Sequence, residues 1–344
     1  MKHNLYLSAI ALSISTLLTG CGGGGGGDTA AAVTPAPVVP TTPVVPTTPV
    51  VEPSTIVTAV ATSTYATTSE EYAAFNLLNA ERQRCGFGTL AQNAKLDQAA
   101  LAHANWQLLN KNFAHIETAG TAGFTGVSPT NRATAAGYSA VGLVGEMIAF
   151  GTTASKAGRG AAGVRDLFSA PYHALTAIGP YLEVGISVRS PLDLGLNLLI
   201  HVTQVNTANA TTAPVIASDA VATYPCEGTT DVNYRLTGEI PNPVPGRNLL
   251  GTPLGHPIMV ILRPGRTLTI TSATLMKVSN STFITLRTPV TSVNDPHNIF
   301  FVNEGYVIPN AALEPSTNYE ASINGTNNGV SFTRTFRFMT GTGG

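Results

Sequence analysis

A tract of glycine and then proline, running from Gly22 to about Thr64, most constrains what this chain can fold into. "GGGGGG" is followed by "TPAPVVPTTPVVPTTPVVEPS", a repeating Pro-Val-Val-Pro-Thr-Thr unit. Oligoglycine is flexible, and proline at this density removes the backbone donors that a helix or a sheet ladder needs. It favours extended polyproline II, a semi-rigid spacer. Residues 21–65 are therefore expected to form a disordered stalk, and a packed core must come from residues beyond the tract.

The residues before the tract read as an export signal. Met1-Lys2-His3 gives a short positive start, and "LYLSAIALSISTLL" is an apolar run too short to span a bilayer comfortably. It ends in "LLTGC", Leu17 to Cys21, which resembles the bacterial lipobox. That resemblance implies a signal peptide over residues 1–20, cleavage before Cys21 and diacylglycerol on its sulfur. Several acyl chains on one residue give stable anchoring where one would not. Gly22 rather than aspartate after the cysteine points to the outer membrane of a bacterial envelope. Charged residues make up 11% of the chain and the net charge is −1. No electrostatic case exists for nucleic acid or for an anionic membrane surface as a partner. With Cys21 set aside, Cys85 and Cys226 remain, and an even pair in an oxidising compartment invites a disulfide. Two separate buried thiols are the alternative.

Past Thr68 the pattern changes. "SEEYAAFNLLNAERQRCG" has Ser69 as an N-cap, acids in the first turn, Tyr72, Phe75 and Leu78 at helical spacing, and Gly86 as the stop. "NAKLDQAALAHANWQLLNKN" predicts a second helix, and "RGAAGVRDLFSAPYHALTAIG" a third, broken near Pro171. "EMIAF", "LEVGISVR" and "LNLLIHVTQV" read as strands, the last with His201 as a polar misfit among apolar neighbours. Helices mixed with a few strands argue for an α+β layered domain over residues 66–210. From residue 213 to residue 344 the chain breaks into short β-rich runs, among them "HPIMVILRPG", "LTITSATLMKV", "NYEASING" and "FTRTFRFMTG". That spacing predicts an all-β, Ig-like sandwich, and "LEPSTNYEASINGTNNGVSFTRTFRFMTG" resembles bacterial Ig-like domains. His256 and His297, isolated near prolines, read as turn residues. His103, on the apolar face of the second helix, reads as structural.

The polar oddities of the first domain are His115, Glu146, His173 and His201. Their order, and the segments that carry them, resemble the CAP superfamily of cysteine-rich secretory, antigen 5 and pathogenesis-related proteins with their bacterial SCP-like relatives. "LLNAERQRCG" is similar to the family's first helix and "LDQAALAHANWQ" to its second. "NFAHIETAG" is similar to its Phe-Ser-His segment, and "GVSPTNRATAAGY" to a bacterial Ser-Pro-x-x-Arg segment. "VGEMIAFG" is similar to Gly-Glu-Asn-Ile-Ala. "LFSAPYHALTAIGPYLEVGISV" and "IHVTQV" are similar to its later helix, strand and His-Tyr-Thr-Gln-Val. Each piece alone is weak, and the shared order carries the resemblance.

The resemblance implies a three-layer α-β-α sandwich whose cleft carries two histidines and two acids. Carried over residue by residue, His115, Glu146 and His201 take three of these places, with His173 nearby. The second acid would fall near Ala170, which has no carboxylate. Met147 and Leu167 also depart from the family pattern. Imidazole and carboxylate suit zinc, so His115, Glu146 and His201 are expected to converge and to be able to hold a weakly bound divalent metal. A metal-free hydrogen-bonded cluster is the alternative. The resemblance further implies a ligand-binding module for lipid, sterol or protein. A structural envelope protein is the second reading, and a metal-assisted hydrolase the third. No Gly-x-Ser-x-Gly, His-Glu-x-x-His or Cys beside His favours an ordinary hydrolase.

Overall fold

The structure, a computed structural model, describes residues 50–139, 142, 144–209 and 211–343. The expected signal peptide, Cys21, and the stalk up to residue 49 lie outside the described residues.

The first expected helix forms as α1 (Glu70–Arg84), with the Ser69 side chain accepting from the Tyr72 N–H. The second forms as α2 (Ala94–Asn110), capped by Asn93. A short α3 (Pro129–Ala135) follows, started by a Ser128/Asn131 capping box. The third predicted helix is split by Pro171 into α4 (Arg159–Phe168) and α5 (Pro171–Ile178).

Four strands, β1 (Ala91–Gln92), β2 (Gly145–Gly151), β3 (Glu183–Arg189) and β4 (His201–Ala208), make a sheet in the order β1-β3-β4-β2. β2, β3 and β4 are antiparallel, and β1 pairs parallel with β3. Helices cover both faces. α2 and α3 lie on one, and α1, α4 and α5 on the other. α2 sits so close to β3 that a Cβ on Gly185 would lie 2.1 Å from the Leu96 carbonyl carbon.

The C-terminal half holds two sheets. β5 (Ala222–Tyr224), β7 (Ile258–Ile261), β10 (Val290–Thr291) and β11 (Glu304–Val307) form one, ordered β10-β11-β7-β5. β6 (Thr229–Val232), β8 (Leu268–Lys277), β9 (Thr282–Phe283), β12 (Asn318–Asn327) and β13 (Val330–Thr340) form the other, ordered β6-β13-β12-β8-β9. The period-2 alternation of a strand decides what each sheet touches. Ile258, Val260 and Val307 pack with Leu275, Ile323 and Phe336 of the second sheet. Met259 and Tyr306 point the other way and join a core with Leu167, Phe168, Ile178 and Met147. That core is continuous across the two halves, and the Phe168 and Tyr224 rings stack at 4.2 Å. The Cys85–Cys226 disulfide forms, with the Cα atoms 5.5 Å apart. Residues 50–344 make one compact unit rather than two separable ones.

Three expectations are corrected. The stalk does not extend to residue 65, because residues 50–65 form an extended strap whose polar groups find partners in both halves. Thr55 N–H donates to the Val215 carbonyl at 2.8 Å, and Glu52 pairs with Arg263 at 2.8 Å. Further along, Thr89 N–H donates to the Val57 carbonyl at 2.7 Å, and the Tyr65 hydroxyl bonds Asp97. The strand read as "LNLLIHVTQV" begins only at His201. Leu196–Ile200 lie in the loop after the 3-10 turn Pro191–Leu194, and Leu199 is 75% exposed. His256 is no turn residue: it is fully buried beside Tyr224, and burial pushes its imidazole down to about 3.

Candidate functional site

The site is built where the loop after α2 meets the first residues of β2. Glu146 opens β2 with its side chain buried. Its Oε1 accepts from His115 Nδ1 at 2.9 Å, and its Oε2 from Arg132 Nη2 at 2.6 Å. Arg132, projected from α3 and fully buried, also donates to the carbonyls of Gly126, Val127 and His115. Its Nε stands 3.7 Å from Glu117 Oε1. Glu117 in turn accepts from His103 Nδ1 at 2.8 Å and from the Thr125 N–H at 2.7 Å, which folds the 113–127 loop around it.

Burial alone would raise the Glu146 carboxyl. The His115 hydrogen bond, the nearby His103 and the Arg132 guanidinium outweigh it and hold the group below the ordinary carboxylate range. Burial lowers the His103 imidazole, which Glu146 and Glu117 oppose. The cluster thus keeps the Glu146 carboxylate charged beneath the surface, with His115 and Arg132 hydrogen-bonded to it and His103 Nε2 3.6 Å away.

His115 is the member that reaches solvent, with 44% of its side chain exposed. A carboxylate at Nδ1 selects the tautomer with the proton on that nitrogen, and leaves Nε2 as an acceptor lone pair. Its ring centroid lies 6.2 Å from that of His173, on α5. His173 Nδ1 lies 3.3 Å from Oε1 of Glu239, a residue of the C-terminal half.

His201 does not join this group. In the β2–β4 register Glu146 stands opposite Asn206, and His201 stands opposite Gly151, five residues along. That separates them by about 17 Å of strand. They also project from opposite faces. Glu146, Asn206 and Gln204 lie on the α2 face, where Gln204 bonds Gln107 at 3.0 Å. His201 shares its face with Thr203, whose hydroxyl donates to the Arg159 carbonyl of α4. His201 Nδ1 meets the Thr153 carbonyl at 3.1 Å, and burial lowers its pKa. The expected zinc triad of His115, Glu146 and His201 is therefore not assembled. Among the described residues no group of three or more His, Cys, Asp or Glu is placed to hold a metal ion.

Sequence reasoning brought His115 and Glu146 together and set His173 near them. It missed the roles of Glu117, Arg132 and Glu239, and it left His103 out of the site, whereas the structure buries His103 inside the cluster on Glu117. Arg132 and Glu117 lie inside two of the CAP-like segments, and an arginine placed one turn past a Ser-Pro helix start was the available signal. Nothing in the sequence pairs Glu239 with His173.

No protein-family model matches the chain, and no curated protein matches it. Among solved structures, similarity is found to an outer surface protein from Borrelia burgdorferi. The identity is 17% and the TM-score 0.33, over 43% of this chain and 97% of that one. A likeness of that size leaves fold and function to be argued from this chain's own residues.

Proposed function

We propose that the chain is a membrane-tethered, CAP-type binding module with an Ig-like sandwich behind it, and that its ligand is met at His115. Of the lipid, sterol or protein ligands that the CAP resemblance implies, we take the lipid or sterol class. One observation carries this reading. His115 is half exposed while its Nδ1 is locked by a buried, charge-compensated carboxylate, so an acceptor-bearing ring is presented from a rigid base. The order of the CAP-like segments, and helices on both faces of a mainly antiparallel sheet, support the same reading. Cys21 supplies the tether through its lipobox-like context, in the outer membrane of a bacterial envelope.

The test uses the full chain carrying Cys21→Ser, which should move from the membrane to the soluble fraction. Native mass spectrometry of that protein after exposure to envelope lipids and sterols is expected to show a bound species. His115→Ala should weaken it at least tenfold. Retention of the Cys21→Ser chain in membranes would remove the tether. Absence of any bound lipid or sterol would leave the structural reading, which the core shared between the halves favours.

A further inference from the structure

α5 begins without a cap of its own. Its N-cap position is Ala170, which has no polar side chain to offer, and Pro171 follows at the first helical position. The next two backbone N–H groups, of Tyr172 and His173, are the ones an N-cap side chain normally satisfies. Glu239 takes both. Its Oε1 accepts from Tyr172 at 2.7 Å and from His173 at 3.2 Å, and meets His173 Nδ1 at 3.3 Å. Its Oε2 is buried and has no partner among the described residues. Among the described residues, the bonds of this carboxylate go to the start of one helix and the imidazole it carries.

Glu239 is held for that task. Its loop is fixed on one side by the Leu236–Leu254 bridge and by His256 on the Asn233 carbonyl. On the other side His297 Nε2 bonds the Asn242 carbonyl at 2.7 Å, while the His297 ring meets Tyr172 edge-on. Tyr172 is anchored in turn by its hydroxyl on Asp295 at 2.6 Å.

We propose that Glu239 is a positioning residue of the site. Reaching in from the C-terminal half, it sets the tautomer and orientation of His173, so that a second carboxylate-backed imidazole faces His115–Glu146. The two pairs are alike: in each a buried glutamate engages Nδ1 and leaves Nε2 as the acceptor edge. The site then offers two acceptor nitrogens, one from the loop after α2 and one from α5, and it exists only when both halves are assembled. Its use for a ligand rests on the proposed binding function. The state of the imidazole does not.

The experiment records long-range proton–nitrogen correlations of the histidine rings in the 15N-labelled full chain carrying Cys21→Ser, at alkaline pH where imidazoles are neutral. The expected result is an Nδ1–H tautomer for His173 in this protein and in a version also carrying Glu239→Gln, whose amide oxygen still accepts. Glu239→Ala should lose that state. An Nε2–H tautomer for His173 before any change at Glu239 overturns the proposal, as does an unchanged tautomer in a folded Glu239→Ala protein. If Glu239→Ala does not fold, the spectra of the other two proteins decide. An Nδ1–H tautomer in a chain that binds no lipid or sterol sustains the positioning role and ends the binding reading alone.

Discussion

Arg132 and Glu146 are joined at 2.6 Å with neither side chain exposed beyond 1%. A charge pair taken wholly out of water adds little over a well-packed apolar pair, and removing one partner leaves the other charge buried and uncompensated. Arg132→Met is therefore expected to destabilise the protein by about 3–5 kcal/mol. Urea unfolding followed by circular dichroism checks it. A loss under about 1 kcal/mol would mean that the Glu146 carboxylate is compensated elsewhere.

Glu146 and Glu239 should respond to pH with opposite signs. The Glu146 carboxyl is held low in the fold, so between its folded pKa and the ordinary carboxylate range near ~4.3 the unfolded chain binds more protons. Its contribution is present above that range and is lost as pH falls through the folded pKa. Burial raises the Glu239 carboxyl despite its bonds to His173 and Tyr172, so the folded state binds the extra proton and stability falls as pH rises through that window. The stability of Glu146→Gln relative to the parent should thus fall from acid to neutral pH, and that of Glu239→Gln should rise. Denaturation midpoints measured at several pH values give both slopes.

Reduction of Cys85–Cys226 opens a loop with a sequence separation of 141 residues. In the chain-entropy picture the bond stabilises by roughly 4–5 kcal/mol, an upper figure that native strain and residual structure reduce. Paired Cys85→Ser and Cys226→Ser substitutions should lower the melting temperature by several degrees, and reductant should have the same effect on the parent but none on the double variant. Peptide mapping without reductant should recover the two cysteines in one linked species.

Gly185→Ala is expected to cost about 1–3 kcal/mol or more, by overpacking. The added methyl would fall 2.1 Å from the Leu96 carbonyl carbon and 2.2 Å from the Asp97 nitrogen, and backbone cannot rotate aside. Thermal unfolding reads the loss. An unchanged melting temperature would show that α2 can lift from β3 freely.

Local elements were legible because local chemistry decides them. Ser69 caps α1 where the sequence places the cap, Pro171 breaks the third helix, and the alternation of β12 follows from its residues. His115 and Glu146 were found because a sequence-order resemblance carries long-range information that periodicity lacks. His201 failed for a reason of parity. Reading it as the middle of an apolar strand ignores that Leu199 can be exposed, and its face is fixed by register with β2, which sequence alone does not give. Glu239 and the strap at residues 50–65 were illegible for a similar reason. Both are defined by partners far away along the chain, and a Pro-rich segment looks the same whether or not such partners exist.

The strap has a mechanical consequence. Tension arriving along the chain at residue 50 meets the Glu52–Arg263 pair and the Thr55–Val215 bonds before it reaches Val57–Thr89 and then α1. The load enters through the C-terminal half, although the covalent chain there belongs to the N-terminal one. Pulling from that end therefore loads the contacts that join the halves one after another, and each must give before the helix leading to Cys85 feels the force.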